Sequence, residues 1–263
     1  MSRHARLTAP LLVAALALAA CSAPASAPPP SPVPSAAQSV ASPVPSRTSA
    51  RPSATRTSSA APQPTAAKPS STTPARDTRA GAALSKPFVV NGIPVVSKKH
   101  AINSSFRRSS VTAPNGLTRQ TQRALTAMVA AARAKGVTIR VRSGYRSYAL
   151  QAQILASKIK EYGSESMARR YNAAPGRSEH QTGLAVDLWD GATWGLGVRN
   201  TRTGRWLWAN AWRYGFILRY PNGKERITGY AFEPWHYRWI GTPDAKNFGP
   251  NTNLSLEEYL GLA

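Results

Sequence analysis

Two histidines and two carboxylates dominate the chemistry open to this chain. The stretch Ser178-Glu-His180-Gln-Thr-Gly183-Leu-Ala-Val-Asp187 supplies one imidazole and one carboxylate, and Glu233-Pro-Trp-His236 supplies another of each. Two imidazoles and one carboxylate are donors that Zn²⁺ accepts, and three protein ligands leave a fourth position open for water. A second carboxylate beside such a site can take the water's proton. His180, Asp187 and His236 are therefore candidate ligands, and Glu233 is the candidate base of a hydrolytic centre. The remaining histidines do not compete: His4 lies in the basic N-terminal segment, and His100 follows Lys98 and Lys99 with no carboxylate near it in sequence. From Lys86 onward the chain holds only ten Asp and Glu. Asp187 and Glu233 stand out among them because they are embedded in apolar, strand-like sequence, where a carboxylate needs a partner or a metal.

The elements that must position these residues are legible in part. Leu117, Thr121, Leu125, Met128, Val129 and Ala132 recur at helical spacing, and Gly136 ends the pattern, so a helix is expected over 117–135. Val137, Ile139 and Val141 alternate with polar residues as in a half-buried strand. Ser147 can cap a helix over 148–162 that Gly163 stops, and 164–171 is a weaker helix candidate. Strands are expected at 184–189, 216–220, 228–232 and 236–240, with a short helix at 210–214 and a turn at Pro221-Asn222-Gly223. Ser255 and Glu258 have the spacing of a capping box for a closing helix. Helices come first and strands cluster later, which predicts an α+β domain with helices packed on a small, mostly antiparallel sheet.

Spacing alone does not close the site. His180 and Asp187 are seven apart and would face opposite sides of an unbroken strand, and Glu233 and His236 have the same parity problem. Each motif carries a residue able to bend the chain, Gly183 in one and Pro234 in the other.

The N-terminal third reads differently. Every Phe, Trp and Tyr lies at or after Phe88, so the packed domain is expected over 86–263, long enough to bury a core. Arg3 and Arg6 precede an apolar run from Leu11 to Ala20, too short to span a bilayer and shaped like a secretory signal. Leu18-Ala-Ala-Cys21 resembles the bacterial lipobox, in which the cysteine is acylated, and residues 1–21 are read as a signal peptide of that kind. A plain signal cut near Ala25-Ser26-Ala27 is the alternative. Cys21 is the only cysteine, which excludes an intrachain disulfide. Residues 22–85 hold 13 of the 22 prolines among Ala, Ser and Thr, the composition of a disordered, extended tether. The net charge is +23, which draws a protein to polyanions. No nucleic-acid motif is present, so anionic cell-wall polymers and lipid head groups are the expected partners, with an Arg-rich coding bias on a solvated surface as the alternative. The expected location is the cell envelope, facing the wall.

With these residues in view the chain resembles the zinc D-Ala-D-Ala carboxypeptidases of the VanY type and the related LdcB/DacB-type L,D-carboxypeptidases. The matching pieces are Ser143-Gly-Tyr-Arg146-Ser-Tyr148 with Gln151, the two stretches quoted above, Tyr214-Gly-Phe-Ile-Leu-Arg219-Tyr-Pro221 with Gly223-Lys-Glu, and the continuation His236-Tyr-Arg238. The resemblance implies a hedgehog/D-Ala-D-Ala peptidase-like fold. It also implies that His180, Asp187 and His236 bind Zn²⁺, that Glu233 is the general base, and that Arg146 stabilises the oxyanion. Gln151 and Ser178 would contact the substrate. Arg219 would face a substrate carboxylate, with a solvated surface position as the alternative. The implied activity is removal of the C-terminal D-Ala of peptidoglycan stem peptides; separately from the resemblance, a monomer is expected. Alternatives on the same fold are an L,D-carboxypeptidase, a peptidoglycan endopeptidase, or a non-catalytic wall-binding lipoprotein.

Overall fold

The structure, a computed structural model, describes residues 75–108, 111–112, 114–250 and 252–263. The signal, Cys21 and the tether as far as residue 74 lie outside the described residues. Among the described residues, β1 (Phe88–Val90) and β2 (Ile93–Val95) form a hairpin, and β3 (Val111–Thr112) pairs with β4 (Leu117–Thr118). The central sheet contains β5 (Arg140–Ser143), β6 (Ala185–Trp189), β7 (Phe216–Leu218) and β8 (His236–Trp239) in the order β5-β6-β8-β7. Its neighbouring strands are all antiparallel, as the order of helix and strand signals predicts.

The helices follow from their caps. The Thr118 hydroxyl accepts from the Thr121 amide and starts α1 (Arg119–Ala134), whose buried stripe includes Leu125, Met128 and Ala132. Ser147 caps α2 (Tyr148–Tyr162), and Gly163 ends it in the left-handed conformation at φ 68°. Ser164 caps α3 (Glu165–Tyr171). Thr201 caps α4 (Arg202–Asn210), which runs on into a 3-10 turn at Ala211–Tyr214. Short helices α5 (Glu225–Thr228), α6 (Thr242–Ala245) and α7 (Leu256–Tyr259) complete the unit, and the expected capping box of Ser255 and Glu258 opens α7. No helix among the described residues is long and apolar enough to cross a membrane.

Two apolar clusters hold the sheet from either side. Val186, Leu188, Phe216 and Tyr237 pack with Leu125, Met128 and Ala132 of α1 and with Leu207 of α4. On the other side Ile217 and Ile240 join the β1–β2 hairpin and Leu256 and Leu260. Strands β6, β7 and β8 are thus buried on both faces and lack the clean apolar–polar alternation of a half-solvated sheet, which only the edge strand β5 keeps.

Some expectations change. Residues 228–232 do not form a strand. Glu225–Thr228 is a helical turn closed by Gly229 at φ 80°, and the Tyr230 amide donates to the Thr228 hydroxyl, a local bond that competes with a sheet ladder. The strand expected from Val137 begins its pairing only at Arg140, although Val137 and Ile139 are buried. The packed contacts begin ahead of residue 86. Asp77 Oδ2 lies 2.7 Å from Arg79 Nη2 and 3.1 Å from His100 Nδ1. The His100 ring stacks on Phe88 at 4.6 Å, and the Asn103 amide donates to the Leu84 carbonyl. His100 is therefore a structural clasp, with a carboxylate partner distant in sequence.

The Arg79 side chain holds the Asp77 carboxyl well below the usual carboxylate range, against a smaller upward push from burial. A depressed folded-state pKa contributes stability above the unfolded value of ~3.9, and that stability is lost as pH falls toward the folded value. Asp77→Asn should lower unfolding stability by about 1 kcal/mol at neutral pH. In denaturant titrations the gap to the unaltered protein should close progressively below about pH 4; a gap that does not vary with pH would contradict this assignment.

Candidate metal centre

Strand register settles the parity problem. Asp187 of β6 and His236 of β8 are directly paired residues in neighbouring antiparallel strands, while Val186 and Tyr237, one step along, are paired as well. Successive side chains point to opposite faces, so Val186 and Tyr237 enter the core beneath α1 while Asp187 and His236 share the other face. The other two members reach that face through turns. Gly183 at φ 71° closes a 3-10 turn over Glu179–Thr182 and brings His180 back toward Asp187. The His236 amide donates to the Glu233 carbonyl at 3.1 Å, a turn with Pro234 second, where proline is favoured. That turn lays Glu233 beside the ring it precedes. Gly183 and Pro234 thus bend the chain where their motifs require it.

The resulting cluster is tight and buried. His180 Nε2 lies 3.3 Å from Asp187 Oδ1, and His236 Nδ1 lies 3.2 Å from the same oxygen. Glu233 Oε2 is 3.6 Å from His236 Nδ1. One donor atom each from His180, Asp187 and His236 fits within 4.8 Å of the others. Two ligands bound tetrahedrally at ~2.1 Å to one zinc ion lie roughly 3.4 Å apart, close to the separations seen. His180 Nε2 and Asp187 Oδ1 are buried with no hydrogen-bond partner, a costly state unless a cation completes them. The residues present therefore fit a zinc ion.

Electrostatics agree with the geometry. Burial, with Arg146 nearby, lowers the His180 pKa and keeps the ring neutral, the form that ligates. Its Nδ1 lies 2.6 Å from the Gly144 carbonyl; a proton donated there leaves Nε2 free as the acceptor. Burial would depress His236, but Asp187, Glu179 and Glu233 overcome it and raise the ring to about 9. The same negative field favours a metal cation in place of that proton. Burial pushes Glu233 up to about 8, with Asp187 adding to the rise and His236 and Arg146 opposing it. A carboxylate raised toward neutrality is suited to accept and return a proton.

The other expected site residues sort clearly. Arg146 is brought in by the loop after β5, where its amide donates to the His180 carbonyl. Its Nη1 lies 3.7 Å from Asp187 Oδ2 and its Nη2 3.5 Å from Ser178 Oγ, while its Nε is buried and unpartnered. Gln151 of α2 donates to the Ala173 carbonyl at 2.8 Å and keeps a buried, unpartnered Oε1. Arg219 is the correction. It is fully buried, with its guanidinium held by Glu257 at 2.6 and 2.8 Å and by Glu179 at 2.8 Å. It faces neither a substrate carboxylate nor solvent, because two buried carboxylates already occupy its donors. Sequence reasoning missed Glu179, whose Oε2 lies 3.5 Å from His236 Nε2. Its place beside His180 is visible in the sequence, but its partners come from β8 (His236 and Arg238) and from Arg219, which follows β7.

Comparison with known proteins agrees with this site. The VanY family pattern, described as D-alanyl-D-alanine carboxypeptidase, matches residues 114–242. The putative carboxypeptidase YodJ of Bacillus subtilis is 36% identical over 184 residues, covering 64% of this chain and 67% of that protein. A solved vancomycin resistance D,D-pentapeptidase VanY mutant, from a VanB-type cassette and in complex with Zn(II), is 37% identical with a TM-score of 0.56. That match covers 63% of this chain and 97% of the solved one. The chain belongs to the VanY family. The LdcB LD-carboxypeptidase structure is also similar, at 32% identity and a TM-score of 0.60, covering 68% of this chain and 94% of that one. The sequence pattern of the VanY family thus spans every residue of the cluster described above.

Gly144 offers a test of the ligand support. A Cβ there would sit 2.4 Å from the Asn115 carbonyl oxygen, so the backbone would have to shift and carry its own carbonyl away from His180. Zinc affinity of Gly144→Ala, measured by chelator competition, should fall by about 10- to 100-fold. An unchanged affinity would mean that the Gly144 carbonyl does not orient His180.

Proposed function

We propose that the protein is a zinc-dependent carboxypeptidase that hydrolyses the C-terminal D-Ala bond of peptidoglycan stem peptides. His180, Asp187 and His236 would hold the ion, and Zn²⁺ supplies Lewis acidity that brings a water toward a pKa of ~7. Glu233 accepts the proton of the attacking water and passes it to the amine of the departing D-Ala, so that one water is consumed and a carboxylate and an amine are released. Arg146 faces the negative charge that develops on the carbonyl oxygen, using a guanidinium that cannot lose its proton. Gln151 and Ser178 orient the peptide, Gln151 through its unused acceptor oxygen. The observation that carries this reading is the spare buried carboxylate, Glu233, beside three convergent ligand atoms.

The similarity to LdcB supports a second reading at the same site, cleavage of D-Ala from a tetrapeptide stem. The N-terminal sequence supports export and acylation at Cys21, with the tether ahead of the Asp77–His100 contact spacing the domain toward the wall. The charge of +23 suits a substrate that ends in a carboxylate within an anionic polymer.

Incubation with defined tri-, tetra- and pentapeptide stems, followed by mass spectrometry, tests the reading. The expected product is free D-Ala from the pentapeptide; loss from the tetrapeptide alone would select the second reading, and no hydrolysis would refute both. Chelation should abolish turnover and added zinc restore it. Glu233→Gln should retain zinc and lower kcat by about 10²- to 10⁴-fold, and a Glu233→Gln protein with normal kcat would remove Glu233 from the mechanism. Arg146→Met should lower kcat by about 10²- to 10³-fold with zinc retained; a change in KM alone would reassign Arg146 to binding.

A further inference from the structure

Two buried atoms near the candidate ligands have no hydrogen-bond partner and face each other. Glu179 Oε2 and His236 Nε2 are 3.5 Å apart, and both are without a formed hydrogen bond among the described residues. The other Glu179 oxygen is fully engaged, accepting from Arg219 Nε at 2.8 Å and from Arg238 Nη1 at 2.7 Å. The Glu179 side chain, like those of Arg219 and Arg238, has no solvent exposure. Glu179 is therefore fixed on one side by two guanidiniums and points its free oxygen at the back of a candidate ligand.

A neutral imidazole carries one proton, and the partner of one ring nitrogen decides which nitrogen is free to bind a metal. His180 has a carbonyl at Nδ1, which leaves Nε2 toward Asp187. His236 is turned the other way, with Nδ1 toward Asp187 and Nε2 toward Glu179. We propose that Glu179 is a positioning residue of the metal centre: it holds the proton of His236 on Nε2, so that His236 binds through Nδ1 while His180 binds through Nε2. A carboxylate behind a ligand histidine fixes its tautomer and raises its basicity. Arg219 and Arg238 make this possible by keeping Glu179 ionised away from water. Glu257, which binds Arg219 through both oxygens, balances the remaining positive charge. The buried cluster then holds two cations and two anions, with Glu257 in contact with Arg219 and not with a candidate ligand.

The inference rests on the zinc-centre reading, and the experiment separates the two. Full-length protein is purified unaltered and as Glu179→Gln and Glu257→Gln, and zinc affinity is measured by chelator competition. Both substitutions remove one negative charge from the same buried cluster, but only Glu179 faces a histidine. Glu179→Gln should weaken zinc binding by about 10- to 100-fold, with Glu257→Gln within about threefold of the unaltered protein. Equal losses in both, or no loss in Glu179→Gln, would overturn the inference while leaving the zinc site intact. No zinc bound to the unaltered protein would overturn both. Should either variant fail to fold, the unaltered protein loaded with ¹¹³Cd decides: ¹⁵N spectra should show cadmium coupling to His236 Nδ1 and to His180 Nε2, with a retained Nε2–H on His236. Coupling to His236 Nε2 would overturn the assignment.

Discussion

Everything at the site depends on one cross-strand pair. Asp187 and His236 are direct neighbours in antiparallel strands, and that register holds a carboxylate and an imidazole at about the spacing of two ligands on one metal ion. A slip of one residue would turn both into the core and present Val186 and Tyr237 in their place. The apolar set on the core face therefore guards the site: Val186, Leu188 and Tyr237 are buried against α1 and make the wrong register costly. The chemistry on one face of the sheet is specified by the packing on the other.

The second constraint is charge. Glu179, Glu257, Arg219 and Arg238 lie buried together, an arrangement whose desolvation cost can exceed its Coulombic gain. Its hydrogen bonds explain why it is tolerated, since each guanidinium meets carboxylates or carbonyls. Arg238 reaches the Pro94 carbonyl of β2 as well as Glu179, so the cluster ties the β1–β2 hairpin to the sheet that carries the candidate ligands. Removing any single member would leave an uncompensated buried charge. The cluster thus couples the integrity of the fold to the orientation of His236.

The chain's own sequence disclosed the reactive groups better than their support. His180, Asp187, His236 and Glu233 stood out because imidazoles are few and carboxylates in apolar sequence need a reason. Gly183 and Pro234 were readable as bends because their backbone limits are intrinsic. The caps at Ser147 and Ser255 were likewise local. What escaped was non-local. Arg219 was expected at substrate or solvent, yet its partners lie at Glu179 and Glu257, far along the chain. The role of His100 required Asp77, and no spacing rule joins them. The strand expected at 228–232 failed because a hydroxyl of Thr228 offers the backbone a closer partner than a neighbouring strand.

The central claim is that a single metal ion sits among His180, Asp187 and His236. Anomalous diffraction from zinc-grown crystals of the protein, collected above and below the zinc absorption edge, tests it most directly. The account predicts one strong peak within bonding distance of all three side chains and next to Glu233. Crystals saturated with zinc that show no peak there, or a peak bound elsewhere, would contradict it.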